Sequence, residues 1–487
     1  MTATLVFSGQ EIAAAELERR AACAARGFER LGIGEGDVVA LMLRNGPVFI
    51  EAVLACRLLG AYYCPINWHF KADEAGFILR DSGARALAVH ADLLAQIEAG
   101  LPIGFPIVTV EPGWSEWRDA QEPWRGAPRT PRGNMPYTSG TTGRPKGVRR
   151  VPATEQQRAL AMALYRTALG IEPGMRALVS APLYHSAPNI YAVQAVLNGA
   201  LLIVEPRFDA EATLALIERH AATNLYLVPT MYVRLLRLPA EVRRRYDISS
   251  VRFISSTGSP CAPDVKRAMI DWFGPVITET YASSETGHNT FIDSREWLER
   301  PGSVGRPLGE GVVKILDDAG RSLAPGEIGL IYCRQPAYPD FTYTNNPAAR
   351  AAIERDGLWS VGDMGHLDAD GYLYVADRKS DMVISGGVNI YPAEIEAALL
   401  GMPAVADCAV FGVPDAEFGE ALAAAVQLRP GAKATDGEIQ HYLRSRIANY
   451  KVPRIVSFHE SLPREESGKI FKRLLREPYW AGTGRRV

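Results

Sequence analysis

Little in the sequence ties it to a membrane, a nucleic acid or an oxidising compartment. Its six cysteines, Cys23, Cys56, Cys64, Cys261, Cys333 and Cys408, are scattered and form no C-x-x-C pair. Zinc sites and disulfide frameworks need clustered thiols, so these read as mostly buried free thiols in a reducing compartment. No apolar run approaches the roughly 18–20 residues of a membrane span. The opening MTATLVFSGQ lacks the basic and apolar regions of a signal peptide, and the ending GTGRRV matches no targeting signal. The expectation is cytoplasmic. A formal net charge of -2 gives no broad field for nucleic acid or an anionic membrane. Disorder is excluded by 47% apolar and 22% charged residues, an ordinary globular balance. There is no internal repeat or low-complexity tract. The balance points to a small-molecule substrate.

With 487 residues the chain exceeds what one hydrophobic core usually serves, so a large domain and a smaller one are expected. Ser8 and Glu11 form a candidate capping box before Leu17, Ala21, Ala24, Phe28 and Leu31, which recur at helical spacing. Apolar runs at 38–43, 86–90, 201–206, 224–229, 253–255 and 276–281 alternate with helical stretches. That alternation predicts βαβ units and a largely parallel sheet in an α/β fold. From about Pro301 the texture changes to short strands and Gly/Pro turns, a β-rich section. After Lys379 it becomes a compact α+β unit. The expected division is 1–379 and 380–487, within the charged segment ADRKSD.

Tyr137–Gly147 reads YTSGTTGRPKG. Gly140, Gly143 and Gly147 let backbone N–H groups approach phosphate oxygens. Thr138, Ser139, Thr141 and Thr142 add hydroxyl donors, and Lys146 adds charge. Pro145 precedes the lysine and Gly147 follows it, unlike G-x-x-x-x-G-K-[ST], so this is not a Walker loop. No strand–GxGxxG–helix unit supports a dinucleotide oxidoreductase.

The loop closely resembles the signature of the adenylate-forming superfamily, which includes acyl-CoA synthetases, peptide-synthetase adenylation domains and firefly luciferase. Further matches follow in the family's order as far as Lys469. The resemblance implies binding of ATP, Mg2+ and coenzyme A. In YASSETG (281–287) it implies that Tyr281 stacks on adenine, Ser284 touches the α-phosphate and Glu285 helps hold magnesium. Ser284 replaces a more usual threonine, and Ala282 a common glycine. SSTGSP (255–260) resembles the segment along the other adenine face and the acyl pocket, with Thr257 and Gly258 in place of a double glycine. In DGLWSVGDMG (356–365) Asp363 corresponds to the ribose-gripping aspartate, with Val361 where threonine is usual. Two carboxylate oxygens can accept from both ribose hydroxyls. Arg378 resembles the second ribose contact.

PREESGKIFKR (463–473) resembles the last signature, with Lys469 as the adenylation lysine, a cation placed where negative charge builds on phosphate. ISGGVNIYPAEIE (384–396) resembles the thioester-forming segment, where Gly387 leaves room for the pantetheine arm. The pivot of the rotating C-terminal domain falls at Ser380, where many relatives carry Asp or Lys.

PLYHSAP (182–188) resembles the aromatic–histidine motif at the acyl pocket, so Tyr184 and His185 are expected there, His185 orienting the carboxylate or gating the thiol channel. Tyr226, Val228, Pro229, Met231, Tyr232, Thr257 and Ala282 complete the expected pocket. Amino-acid-activating relatives have aspartate where His185 stands, which argues against a peptide-synthetase role. The implied activity is an AMP-forming acid–CoA ligase. The opening half tilts the acid to a medium- or long-chain fatty acid. An aryl or short dicarboxylic acid, with Arg234 as a receptor, is the alternative, and a non-catalytic acyl or nucleotide binder is the rival of another class. The resemblance leaves a homodimer open.

Overall fold

Apolar strands alternating with helices assemble into two parallel sheets. The computed structural model describes residues 4–111, 113–127, 129–138, 145–259, 261–386, 388–464 and 470–481. One sheet runs Ile277–Glu279, Phe253–Ser256, Asn224–Tyr226, Arg176–Val179, Leu201–Val204, Thr4–Phe7, Gln10–Ile12. Every pairing in it is parallel except the last. The second runs Ile107–Val110, Ala84–His90, Val38–Met42, Tyr62–Pro65, Gly133–Asn134, parallel throughout. Val39 and Leu41 share one core with Leu178 and Leu202 of the first sheet and with helices Ala14–Arg30 and Pro47–Leu59. Val38, Ala40 and Met42 point into a separate core on the other face. That alternation is the two-residue period of a strand.

The β-rich section is a mostly antiparallel sheet, Glu354–Arg355, Leu358–Trp359, Gly329–Arg334, Asp363–Leu367, Leu373–Arg378, with Val312–Leu316 on Gly329–Arg334. After it, Val383–Ser385, Val388–Ile390, Gly419–Leu428, Val405–Asp415 and Ile455–Phe458 form a further sheet. It packs with helices Pro392–Leu400 and Asp436–Arg444 on a core of its own around Ile395, Val410, Leu422 and Ile439. The α/β fold, with a large N-terminal domain of parallel sheets and a small C-terminal domain, is as expected.

Two expectations are corrected. Ser8 and Glu11 do not cap a helix. Ser8 (φ 49°) and Gly9 (φ 78°) turn the chain, and Gln10–Ile12 pairs back on Thr4–Phe7. Two consecutive positive φ angles suit a tight hairpin, and this turn chemistry overrides the cap pattern. The helix starts at Ala14, with Ala13 as its N-cap. The strands expected at 224–229 and 276–281 end earlier, at Tyr226 and Glu279. Beyond those carboxyl ends the chain leaves the sheet, which is where the ligand crevice of an open α/β sheet lies. Among the described residues no helix is long and apolar enough to cross a membrane, and all six cysteines are free.

Candidate active site

Tyr281 follows the strand Ile277–Glu279 by two residues, so its ring stands past the sheet edge. Its hydroxyl donates to Asp363 Oδ2 at 2.6 Å, across 82 residues of chain. Asp363 begins the strand Asp363–Leu367 and sits in register opposite Arg378, whose Nε lies 3.4 Å from Asp363 Oδ1. Three groups from separate motifs therefore meet at one point. Burial raises the Tyr281 phenol well above its usual pKa, and the Asp363 charge adds to the effect, so the hydroxyl stays a donor. A carboxylate offers about four acceptor positions, so Asp363 retains capacity for further hydroxyl donors.

A second cluster surrounds Glu285, which is 5% exposed. Its Oε1 accepts from Thr138 Oγ1 at 3.2 Å and from Tyr343 Oη at 2.9 Å. Lys146 Nζ sits over the Tyr343 ring, 5.2 Å from its centroid. Arg150, four residues along the same strand, donates to the backbone carbonyls of Ser284 at 2.8 Å and Glu285 at 2.6 Å. It thereby ties the loop exit to the YASSETG segment. Both segments are tightly fitted. A Cβ on Gly147 would meet the Tyr137 ring at 2.7 Å, and one on Gly287, which also has φ +74°, would meet Tyr338 at 2.1 Å.

Met231 and Tyr232, expected in the pocket, are instead packed in the hydrophobic core because their helix turns them away from the cleft. The other remaining groups line the same cleft, of 2520 Å³, which is also walled by Asp407, Arg464 and Lys472 of the small domain. Ser284 Oγ is 3.4 Å from Ser186 Oγ at the start of helix Ser186–Leu197. His185 is the N-cap residue of that helix, and its ring packs on Tyr184 with centroids 4.4 Å apart. Tyr226 is buried against Tyr191, centroids 5.7 Å apart, and the Thr257 hydroxyl donates to the Thr280 carbonyl at 2.8 Å. Val228, Gly258 and Ala282 complete the wall. Ser259 stands beyond Gly258. Ser139, Gly140, Thr141, Thr142, Gly143, Gly387 and Lys469 lie outside the described residues.

On the small-domain side of the boundary, the Ser380 carbonyl accepts from Arg476 at 3.3 Å. Asp377 accepts from the Ala393 amide at 2.9 Å. Lys472 reaches Glu396 at 2.8 Å. Burial opposes the Lys472 charge, but Glu396 and Asp377 outweigh it and lift the pKa to about 12. Arg237 of the large domain also donates to the Ala406 carbonyl of the small one.

Sequence reasoning missed Arg150, Tyr343, Tyr338 and Arg57, all close to these groups. Arg150 carries a usable signal, a cation four residues beyond Lys146 on one strand. The others come together only through tertiary structure.

The family model for AMP-binding enzyme matches residues 2–338, and that for its C-terminal domain matches 394–469. The chain belongs to the AMP-binding enzyme family. It is 35% identical over 469 residues to a feruloyl-CoA synthase of an Amycolatopsis species, covering 95% of this chain and 93% of the relative. It is 33% identical over 466 residues to the long-chain-fatty-acid–CoA ligase FadD13 of Mycobacterium tuberculosis, covering 93% and 90%. Among solved structures, the o-succinylbenzoate CoA synthetase of Bacillus subtilis with its acyl-adenylate intermediate has a TM-score of 0.83 at 30% identity, covering 97% of this chain and 94% of that one.

Proposed function

We propose that this AMP-binding enzyme is an AMP-forming acid–CoA ligase and that its acid is aromatic. One observation carries the ligase reading. The Tyr281–Asp363–Arg378 cluster and the Thr138–Glu285–Tyr343 cluster face one cleft, as a nucleoside end and a phosphate end of a single ATP would require. An oxygen of the substrate carboxylate bonds to the α-phosphorus, and the α–β bridging bond breaks to release pyrophosphate. Ser284 contacts the α-phosphate, and Lys469 offsets the negative charge that builds in the transition state. In the second step the CoA thiol loses its proton, its sulfur bonds to the acyl carbon, and the bond from that carbon to the phosphate oxygen breaks, so that AMP leaves with the electron pair. The C-terminal domain turns about Ser380 between the steps, exchanging Lys469 for Gly387.

The donor set suits magnesium. Among the described residues both side-chain hydrogen bonds to the Glu285 carboxylate fall on Oε1, which leaves Oε2 for a cation. Among the described residues no group of three or more acidic, histidine or cysteine side chains could hold a metal. One carboxylate plus substrate phosphates is the usual magnesium arrangement, and the ion would neutralise phosphate charge.

The relatives act on different acids, so the acid must be argued from the wall. Tyr165 of helix Glu155–Leu169 lines the cleft together with Tyr63, Tyr338 and His288. Tyr165 lies 6.2 Å from the His288 ring, edge to face, and 6.3 Å from the Tyr338 ring. Such a wall offers ring faces and hydroxyls, which favour an aromatic ring over an alkyl chain. This departs from the fatty acid to which the sequence tilts. Thioester formation with ATP and CoA should be at least about tenfold more efficient, in kcat/KM, for cinnamic or phenylacetic acids than for decanoic acid. The reverse order would return the acid to the fatty class.

A further inference from the structure

The aliphatic hydroxyls of the YASSETG segment are held in different ways. Ser283 Oγ and Thr286 Oγ1 are 2.8 Å apart and pair with each other, and Thr286 Oγ1 also accepts from Asn289 at 2.7 Å. Ser284 Oγ looks outward instead. Its side-chain contact among the described residues is Ser186 Oγ, at 3.4 Å on a separate helix. Ser186 Oγ in turn accepts from Asn134 Nδ2 at 3.3 Å. Asn134, Ser186 and Ser284 thus form a row across three elements.

The fold holds this row in place. Tyr63 and Asn134 stand in register on neighbouring parallel strands. Ser186 and Asn189 share one face of the first turn of helix Ser186–Leu197. The Tyr63 hydroxyl donates to Asn189 Oδ1 at 2.7 Å, just as Asn134 donates to Ser186. Asn189 is fully buried and also donates to the Leu183 carbonyl at 3.0 Å, which pins that face.

Hydrogen-bond chemistry gives the row a direction. An amide nitrogen only donates, so Ser186 Oγ accepts from Asn134 and offers its own proton to Ser284 Oγ. Ser284 then accepts, and its proton is left for a ligand. Both contacts exceed the roughly 2.7–3.2 Å of a settled hydrogen bond, and active-site contacts of this kind tighten when substrate binds. A serine is less confined at χ1 than a β-branched threonine, so its hydroxyl depends more on an outside hold.

We infer that Asn134 and Ser186 are positioning residues for adenylation, which orient the Ser284 hydroxyl as a donor toward the α-phosphate. The inference rests on the place given to Ser284 in the proposed function and deepens it. Charge builds on that phosphate in the transition state, so loss of the hold lowers kcat more than it raises KM.

The test uses the full-length enzyme and acid-dependent exchange of labelled pyrophosphate into ATP, with whichever of cinnamic, phenylacetic or decanoic acid it activates. Ser186→Ala should lower the exchange kcat about tenfold and change KM for ATP less than about threefold. Asn134→Asp, nearly isosteric but without a donor when ionised, should lower kcat to a similar degree. The deciding variant combines Ser186→Ala with Ser284→Thr. A threonine holds its own rotamer, so the double variant should run within about threefold of Ser284→Thr alone. A kcat loss in Ser186→Ala smaller than about threefold overturns the inference. So does a larger loss that persists beside Ser284→Thr, which would mark Ser186 as structural only. If Ser186→Ala does not fold, Asn134→Asp with and without Ser284→Thr reads the same coupling. Undiminished exchange in Ser284→Ala overturns the placing of Ser284, and no exchange with any acid overturns the ligase reading; the inference falls with either.

Discussion

Asp363 shows how one side chain gathers distant sequence into a site. It accepts from Tyr281 at 2.6 Å and faces Arg378 at 3.4 Å. Arg378 has a side chain 47% exposed, and an ion pair so exposed adds only about 0.2–1 kcal/mol to stability. The arrangement therefore serves a ligand more than the fold. Hydrogen bonds to a charged group contribute about 1.5–3 kcal/mol, so Asp363→Ala should raise KM for ATP about ten- to hundredfold. Steady-state kinetics at saturating acid and CoA would check this, and a change below about threefold would remove Asp363 from the nucleotide site. Asp363, Tyr281 and Glu285 were legible in the sequence because their signatures are contiguous. Tyr338 and Tyr343 were not. A tyrosine in a loop and a tyrosine in a short strand acquire meaning only from what tertiary packing sets beside them.

At the scale of elements, the parallel strands were legible because their apolar runs and spacing fix them locally. Their ends were not, since strands 224–226 and 277–279 stop where the chain must turn outward to the cleft. The Ser8–Gly9 hairpin was misread because a cap pattern and a turn pattern share the same small residues. The proposed two-step mechanism draws on the segment after Arg378. The hairpin strands Val383–Ser385 and Val388–Ile390 flank Gly387, and the bridge between Arg464 and Ile470 flanks Lys469. The two segments are expected to act in different steps. Lys469→Ala should lose adenylation, by about a hundredfold or more, yet still convert supplied acyl-adenylate to thioester. Gly387→Leu should retain adenylation and lose thioester formation. Parallel pyrophosphate-release and thioester assays would distinguish these outcomes, and equal loss of both steps in both variants would contradict the division of labour.

At the scale of the molecule, the cleft is walled by both domains, with Tyr281, Asp363, Arg378, Thr138 and Glu285 on the large one and Asp407, Arg464 and Lys472 on the small one. Among the described residues, polar contacts across their junction include Asp377 with the Ala393 amide and Arg237 with the Ala406 carbonyl. A junction of this kind can be exchanged for another at modest cost, which suits the proposed rotation of the small domain. The two-domain plan was legible from the change in texture after Lys379. The way the domains share one cleft was not, because no local pattern encodes it. The central claim is that an acyl-adenylate forms before any thiol takes part. Acid-dependent exchange of labelled pyrophosphate into ATP, measured without CoA, tests it most directly. The account predicts exchange that needs the acid and magnesium and does not need CoA. Exchange that appears only when CoA is present would contradict it.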